Sequence, residues 1–292
     1  MLPYKTEPVL LEKIWGGRRL IGYNKSFSGK IGESIEFDGQ KMGIPLVIKL
    51  IDAWDNLSIQ VHPDKETASE LNDGTCGKDE LWVVLDCEEG SEIYCNFNDN
   101  YDKKTIYDAA LDGSIIKLMN KINVKKGDCI FLPSGTVHAL GKGVLVYELQ
   151  QASNITYRLY DWDRVENGKR RELHIDKALR AIKIDNYISA ENIINIYDKE
   201  SMNSRLISIG EYEHFGAKFV TLKNEESIMQ RCDEVKIITV ISGKGVLCFR
   251  GKRMTLKKGD TFVIPADSNE CVSIIGSGLL RFIESWPINA NL

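Results

Sequence analysis

The stretch Ser58-Ile59-Gln60-Val61-His62-Pro63-Asp64-Lys65, which follows the apolar run Pro45-Leu46-Val47-Ile48-Lys49-Leu50-Ile51, has the residue types and spacing of a metal site. Successive side chains of an extended chain point to opposite faces, so Ser58, Gln60 and His62 share one side while Ile59 and Val61 pack on the other. Polar groups facing inward cost free energy unless something binds them, and a metal ion would satisfy them. A carboxylate stands at Glu80, at the head of a second apolar run, Leu81-Trp82-Val83-Val84-Leu85. Further on, Asp128-Cys129-Ile130-Phe131-Leu132 leads through Pro133-Ser134-Gly135 to His138. Gln60, His62, Glu80 and His138 together offer two imidazoles, one carboxylate and one amide oxygen, a donor set for one zinc ion with room for water or substrate.

Four phrases carry a resemblance: "LSIQVHPDK", "GKDELWVVLD", "FLPSGTVHAL" and "ELQQASNITYRLYDW". In that order and at these separations the chain resembles the type I, zinc-dependent mannose-6-phosphate isomerases of the cupin superfamily, from about Trp15 to Leu179. The resemblance implies an aldose-ketose isomerase acting on a small phosphorylated sugar, with a zinc-stabilised cis-enediol between D-mannose 6-phosphate and D-fructose 6-phosphate. Arg158, in Thr156-Tyr157-Arg158-Leu159, matches the arginine that the family places over the active site, and would stabilise developing negative charge. Ser58, Lys78 and Lys65 are the sugar or phosphate contacts that the resemblance favours, with Lys78 also a candidate for the chemistry. Lys49 joins them on other grounds, because a lysine inside an apolar strand must snorkel or pair. The base that takes the C2 proton stays open between Lys78, Glu148 and a zinc-activated water. Where the family usually carries Trp, this chain has Ile35, a packing position. His174 and His214 are the contrast cases, expected at a helix start and in a charged turn.

Positioning such a set requires many strands, and the pattern supplies them. Gly32 to Phe37 alternates, three strand-like segments lie between 45 and 98, and Val144-Leu145-Val146-Tyr147-Glu148-Leu149 alternates so weakly that both its faces should be buried. Short helices are expected from Asp64 to Leu71, on either side of Gly113 and from Leu173 to Lys183. In the last third, "GKRMTLKKGDTFVIPADSNECVSI" parallels "INVKKGDCIFLPSGTVHAL" as strand, K-K-G-D turn, strand and proline, with no histidine in the second copy. The expected fold is mainly β, with two cupin-type jelly-roll barrels. A catalytic domain with helical insertions would span 1–184, a connecting segment 185–204, and a metal-free barrel 205–292.

Composition sets outer limits. The chain has 292 residues and a net charge of −4, well mixed, which disfavours nucleic acid or a membrane surface as principal partner. Seven cysteines are scattered singly with no C-x-x-C pair, the usage of free thiols in a reducing compartment. Without a basic, apolar leader or an apolar run near the roughly 20 residues of a membrane span, the expectation is a cytoplasmic monomer or weak homodimer. Three alternatives compete with the isomerase: an iron-dependent cupin dioxygenase, which generally prefers a third histidine where this chain has Gln60, a non-catalytic sugar-binding cupin, and an isomerase of a related phosphosugar.

Overall fold

A computed structural model describes residues 1–166, 168–185, 188–200 and 205–288. It is mainly β and antiparallel. After β1 (Tyr4–Lys5), β2 (Val9–Leu11) and β3 (Glu33–Asp38) come β4 (Leu46–Ala53) and β5 (Ile59–Val61). Helix α1 (Lys65–Glu70) leads to β6 (Glu80–Cys87) and β7 (Glu92–Phe97). Helices α2 (Lys103–Asp112) and α3 (Ile115–Leu118) are inserted before β8 (Met119–Asn123), β9 (Asp128–Leu132), β10 (His138–Leu140), β11 (Val144–Gln151) and β12 (Tyr157–Tyr160). A small hairpin, β13 (Val165–Glu166) and β14 (Lys169–Arg170), precedes α4 (Ile175–Ala181).

The helices form where the sequence gives local reasons. Asp64 and Asp102 cap α1 and α2, their carboxylates accepting the backbone N–H of Thr67 at 2.8 Å and Thr105 at 2.7 Å. Gly113 ends α2 in the left-handed region at φ 78°.

Two sheets build the first half, in the orders β15-β9-β6-β11-β4-β3-β2 and β12-β5-β10-β7-β8, where β15 is Ile194–Asn195. Alternation explains the weak pattern of β11, which is buried along its whole length. Leu145, Tyr147 and Leu149 enter one core with Leu50 and Leu81, while Val144 and Val146 enter another with Ile51 and Trp82. The first of these cores continues into the second half through Phe215, Phe219, Ile237 and Ile283. The central sheet is thus clamped between the second half and the first barrel's interior, and Glu148 faces that interior.

An ion pair pins the entry of the chain to this sheet. Asp52 is fully buried, accepts the Arg19 backbone N–H at 2.7 Å and meets the Arg19 guanidinium at 2.6 and 2.7 Å. Asp52→Ala is expected to lower stability by about 1–3 kcal/mol, since it removes the partner of the Arg19 backbone N–H and leaves the part-exposed guanidinium only the Gly143 carbonyl. A denaturant midpoint within error of wild type would contradict this.

The second half contains β16 (Leu206–Glu211), β17 (Phe215–Lys223), β18 (Ser227–Cys232), β19 (Lys236–Phe249), β20 (Lys252–Lys257), β21 (Thr261–Ile264) and β22 (Asp267–Pro287). It forms a single sheet system around its own core of Val220, Ile238, Leu247, Phe262 and Phe282. Strand β1 belongs to that sheet, with Tyr4 opposite Val263 and Lys5 opposite Phe262. Of the expected connecting segment 185–204, residues 186, 187 and 201–204 lie outside the described residues. The remainder is more regular than its Asn- and Ile-rich composition suggests, because β15 pairs with β9 and helix α5 (Ile196–Glu200) follows. Among the described residues no helix is long and apolar enough to cross a membrane.

Candidate metal centre

Strand pairing brings together what the sequence holds apart. On β5, Gln60 has His138 of β10 opposite it on one side and Arg158 of β12 on the other. The turn before His138 is tied to β5 at Gly135, whose N–H donates to the His62 carbonyl at 2.7 Å. Gly135 sits at φ +92°, a conformation that side-chain-bearing residues rarely adopt, and a Cβ there would meet Lys183 Cγ at 2.6 Å.

The two histidines are buried and held in one tautomer. Nδ1 of His62 donates to the Ile155 carbonyl at 2.8 Å, and Nδ1 of His138 donates to the Thr136 carbonyl at 2.9 Å. Each Nε2 therefore keeps its lone pair, and both lone pairs face Glu80. His62 Nε2 is 3.1 Å from Glu80 Oε1, and His138 Nε2 is 3.5 Å from Glu80 Oε2. One ligand atom from each of these three residues fits within 4.8 Å of the others. Burial, followed by Lys78, pushes the His62 imidazolium down to about 4, and burial likewise lowers His138, so both rings are neutral and able to ligate.

Glu80 completes the set. It is 1% exposed, and neither carboxylate oxygen has a well-directed hydrogen bond. Burial alone would raise its pKa, but Lys78 at 2.6 Å and His62 more than offset that and hold it well below the usual carboxylate range. A buried, ionised carboxylate without directed donors, beside two fixed imidazole lone pairs, is what a divalent cation satisfies. The Gln60 amide lies 3.5 Å from both Nε2 atoms, with its Oε1 accepting from Ser58 Oγ at 3.1 Å. A half-turn of the amide turns the oxygen to the centre and leaves nitrogen to donate to Ser58. The residues present therefore fit a metal.

Above this centre lies a cavity of about 140 Å³ whose lining includes Ser58, Gln60, Lys49, Lys78, Glu148 and Arg158. Trp82 Nε1 donates to Glu148 Oε2 at 3.0 Å, and Lys49 Nζ lies 3.3 Å from Glu148 Oε1. Burial and the nearby Glu80 push Glu148 up against the opposing pull of Lys49. Lys49, expected to snorkel or pair, does pair: burial would lower it, but Glu148 and Glu33 raise it. Arg158 donates from Nε to Ser58 Oγ at 3.3 Å and from Nη1 to the Glu172 carbonyl at 2.9 Å. Burial and the neighbouring Arg171 lower its pKa.

Two stretches match known family descriptions. Residues 22–81 match the catalytic domain of phosphomannose isomerase type I, and residues 208–285 match the mannose-6-phosphate isomerase cupin domain. Bacillus subtilis YvyI is 35% identical over 90% of this chain and 93% of its own length. The mannose-6-phosphate isomerase ManA of Bacillus subtilis is 30% identical over 90% of this chain and 93% of its own. The crystal structure of the mannose 6-phosphate isomerase from Bacillus subtilis superposes with a TM-score of 0.81 at 30% identity, covering 98% of this chain and 99% of that one. The chain belongs to the type I mannose-6-phosphate isomerase family. The mainly-β cupin architecture expected from the strand pattern is that of the family.

Apart from Lys65, the site residues named from sequence gather around one centre or its rim. Gln60, His62, Glu80 and His138 converge, and Ser58, Lys49, Lys78 and Arg158 surround them. Lys65 does not join them. It is the first residue of α1, exposed and outside the cavity lining, because the Asp64 cap directs the first helical turn to solvent. Lys13, Glu33 and Arg171 also line the cavity and were not singled out from sequence. Glu33 could have been, as a carboxylate on an alternating strand. Arg171 gives no such signal in the charged run Lys169-Arg170-Arg171-Glu172, and reaches the cavity because buried Asp161 holds both it and Arg164. His174 caps nothing with its side chain but accepts the Arg158 backbone N–H at Nδ1, 3.2 Å away, steadying that strand.

Proposed function

We propose that this chain interconverts D-mannose 6-phosphate and D-fructose 6-phosphate using one zinc ion held by His62, Glu80, His138 and Gln60. The observation that carries the reading is the buried His62–Glu80–His138 set opening onto a cavity lined by Lys49, Lys78 and Arg158. Two imidazoles with a carboxylate and an amide oxygen suit zinc, which when bound supplies a Lewis acid for the C1 and C2 oxygens.

The chain's own residues do the rest. Arg158 and Arg171 put two guanidiniums on one side of the cavity, with Ser58 hydrogen-bonded between Arg158 and Gln60, which suits anionic oxygens on the sugar. Of the candidate proton carriers, Lys78 Nζ is already engaged by Glu80 and His62, at 2.6 and 3.2 Å. Glu148 is the better base: it faces the cavity, and burial raises its proton affinity toward the range in which a carboxylate can both take and return a proton. Trp82 and Lys49 fix its orientation.

The test is a coupled assay for fructose 6-phosphate with mannose 6-phosphate supplied. Chelation is expected to cut turnover by about a hundredfold or more, and stoichiometric zinc to restore it. Metal-free protein that turns over at the original rate would refute the reading, and so would zinc-loaded protein inactive on both sugars.

A further inference from the structure

The second half repeats more of the first than its K-K-G-D turn. Across β4 and β11 Lys49 stands opposite Glu148, and across β17 and β22 Lys218 stands opposite Glu284. β4 is followed by β5, which carries Gln60, and β17 is followed by β18, which carries Gln230. Gln60 faces His138, but Gln230 faces Val272. The copy has lost the histidine and kept the lysine, the glutamate and the glutamine.

These kept side chains share one interior. Alternation puts Lys218 on the face of Val220, Lys236 on that of Ile238, Glu284 on that of Phe282, and Gln230 on that of Cys232. Those four apolar residues belong to one core cluster. Glu284 is fully buried, with Oε1 2.7 Å from Lys218 Nζ and 4.0 Å from Lys236 Nζ, and Oε2 without a hydrogen-bond partner. Gln230 is 6% exposed, and neither its Nε2 nor its Oε1 has a partner among the described residues. Unpaired polar atoms inside a barrel are destabilising unless something occupies them. Of the charged groups around this interior, the Lys218 side chain is 26% exposed and that of Glu234, 4.0 Å from Lys236, is 46% exposed.

We infer that the interior of the second barrel, between Gln230, Lys218, Lys236 and Glu284, binds a small neutral polyhydroxylated molecule of the sugar class. Hydroxyls can donate to the free oxygens of Glu284 and Gln230 while accepting from the Gln230 amide and the lysines. The two ammoniums are balanced by Glu284 and Glu234, so the site carries no surplus charge for a phosphate. This inference does not depend on the chemistry assigned to the first barrel.

The test follows the Gln230 side-chain amide resonances of the whole zinc-loaded chain by NMR as D-mannose is added. A saturable shift is expected, with D-mannose 6-phosphate binding at least about fivefold more weakly at the same resonances. Lys218→Met, followed through the indole signal of Trp286, over whose ring Lys218 Nζ lies 5.7 Å from the centroid, should weaken mannose binding by about tenfold. Gln230→Leu, followed in the same way, should do likewise while raising the melting temperature, because an apolar side chain replaces an unpaired amide. Wild-type Gln230 resonances that do not move with D-mannose would overturn the site, whatever the variants do. An equal or stronger response to the phosphorylated sugar would overturn the assignment to a neutral ligand.

Discussion

His138→Ala is expected to lose bound zinc and turnover together. The imidazole it removes is one of two whose Nε2 lone pairs are fixed toward Glu80, and its own Nδ1 is spent on the Thr136 carbonyl. Alanine offers no donor and leaves His62, Glu80 and Gln60 to hold a cation alone. Disturbing only the hydrogen bonds behind a ligand commonly weakens metal affinity by about 10–100-fold, so loss of the ligand should exceed that range. His138 is 2% exposed, so a folding control by circular dichroism belongs with the assay. Metal content per chain and kcat are the readouts, and both should fall below about a hundredth of wild type. Retained zinc alongside retained turnover would remove His138 from the centre.

Arg158→Ala should separate the two quantities that His138→Ala loses at once. Arg158 stands opposite Gln60 in the strand pairing but offers no lone pair, so zinc content is expected to stay at one per chain. Its Nε and Nη1 are tethered to Ser58 and to the Glu172 carbonyl, which leaves Nη2 for the substrate. Losing a preorganised donor aimed at developing charge typically costs about 10²–10³ in kcat, and a fall of that size is expected here. Arg158→Lys should recover little of it, because an ammonium cannot hold the Ser58 and Glu172 contacts in one plane. A fully active Arg158→Ala protein would make the arginine a bystander.

The centre was legible in the sequence because the side-chain period of a strand is a local property. Ser58, Gln60 and His62 had to share a face, Glu80 headed one apolar run, and His138 followed another through Pro133-Ser134-Gly135. The helices were legible for similar reasons: Asp64 marks a start and Gly113 a break between apolar stripes, whereas the Asp102 cap emerged only from the structure. What stayed hidden depends on register and on distant packing. Nothing in Lys169-Arg170-Arg171 distinguishes the residue that Asp161 draws to the cavity, and nothing in Tyr4-Lys5 announces a partner at Val263 and Phe262. Lys65 erred in the other direction, since nearness in sequence to His62 says little once a capped helix begins between them. Tyr147 shows the same limit: the weak alternation of β11 told that both faces were buried, but not that one of them meets Ser285 of the second half at 2.8 Å.

Anomalous X-ray scattering from crystals of active protein, with data collected on both sides of the zinc absorption edge, would locate the ion that His62, Glu80 and His138 are proposed to hold. A single strong peak per chain is expected at about 2.0–2.2 Å from Nε2 of His62, Nε2 of His138 and a carboxylate oxygen of Glu80. No peak there in a preparation that still isomerises its substrate, or a peak bound by other residues, would contradict it.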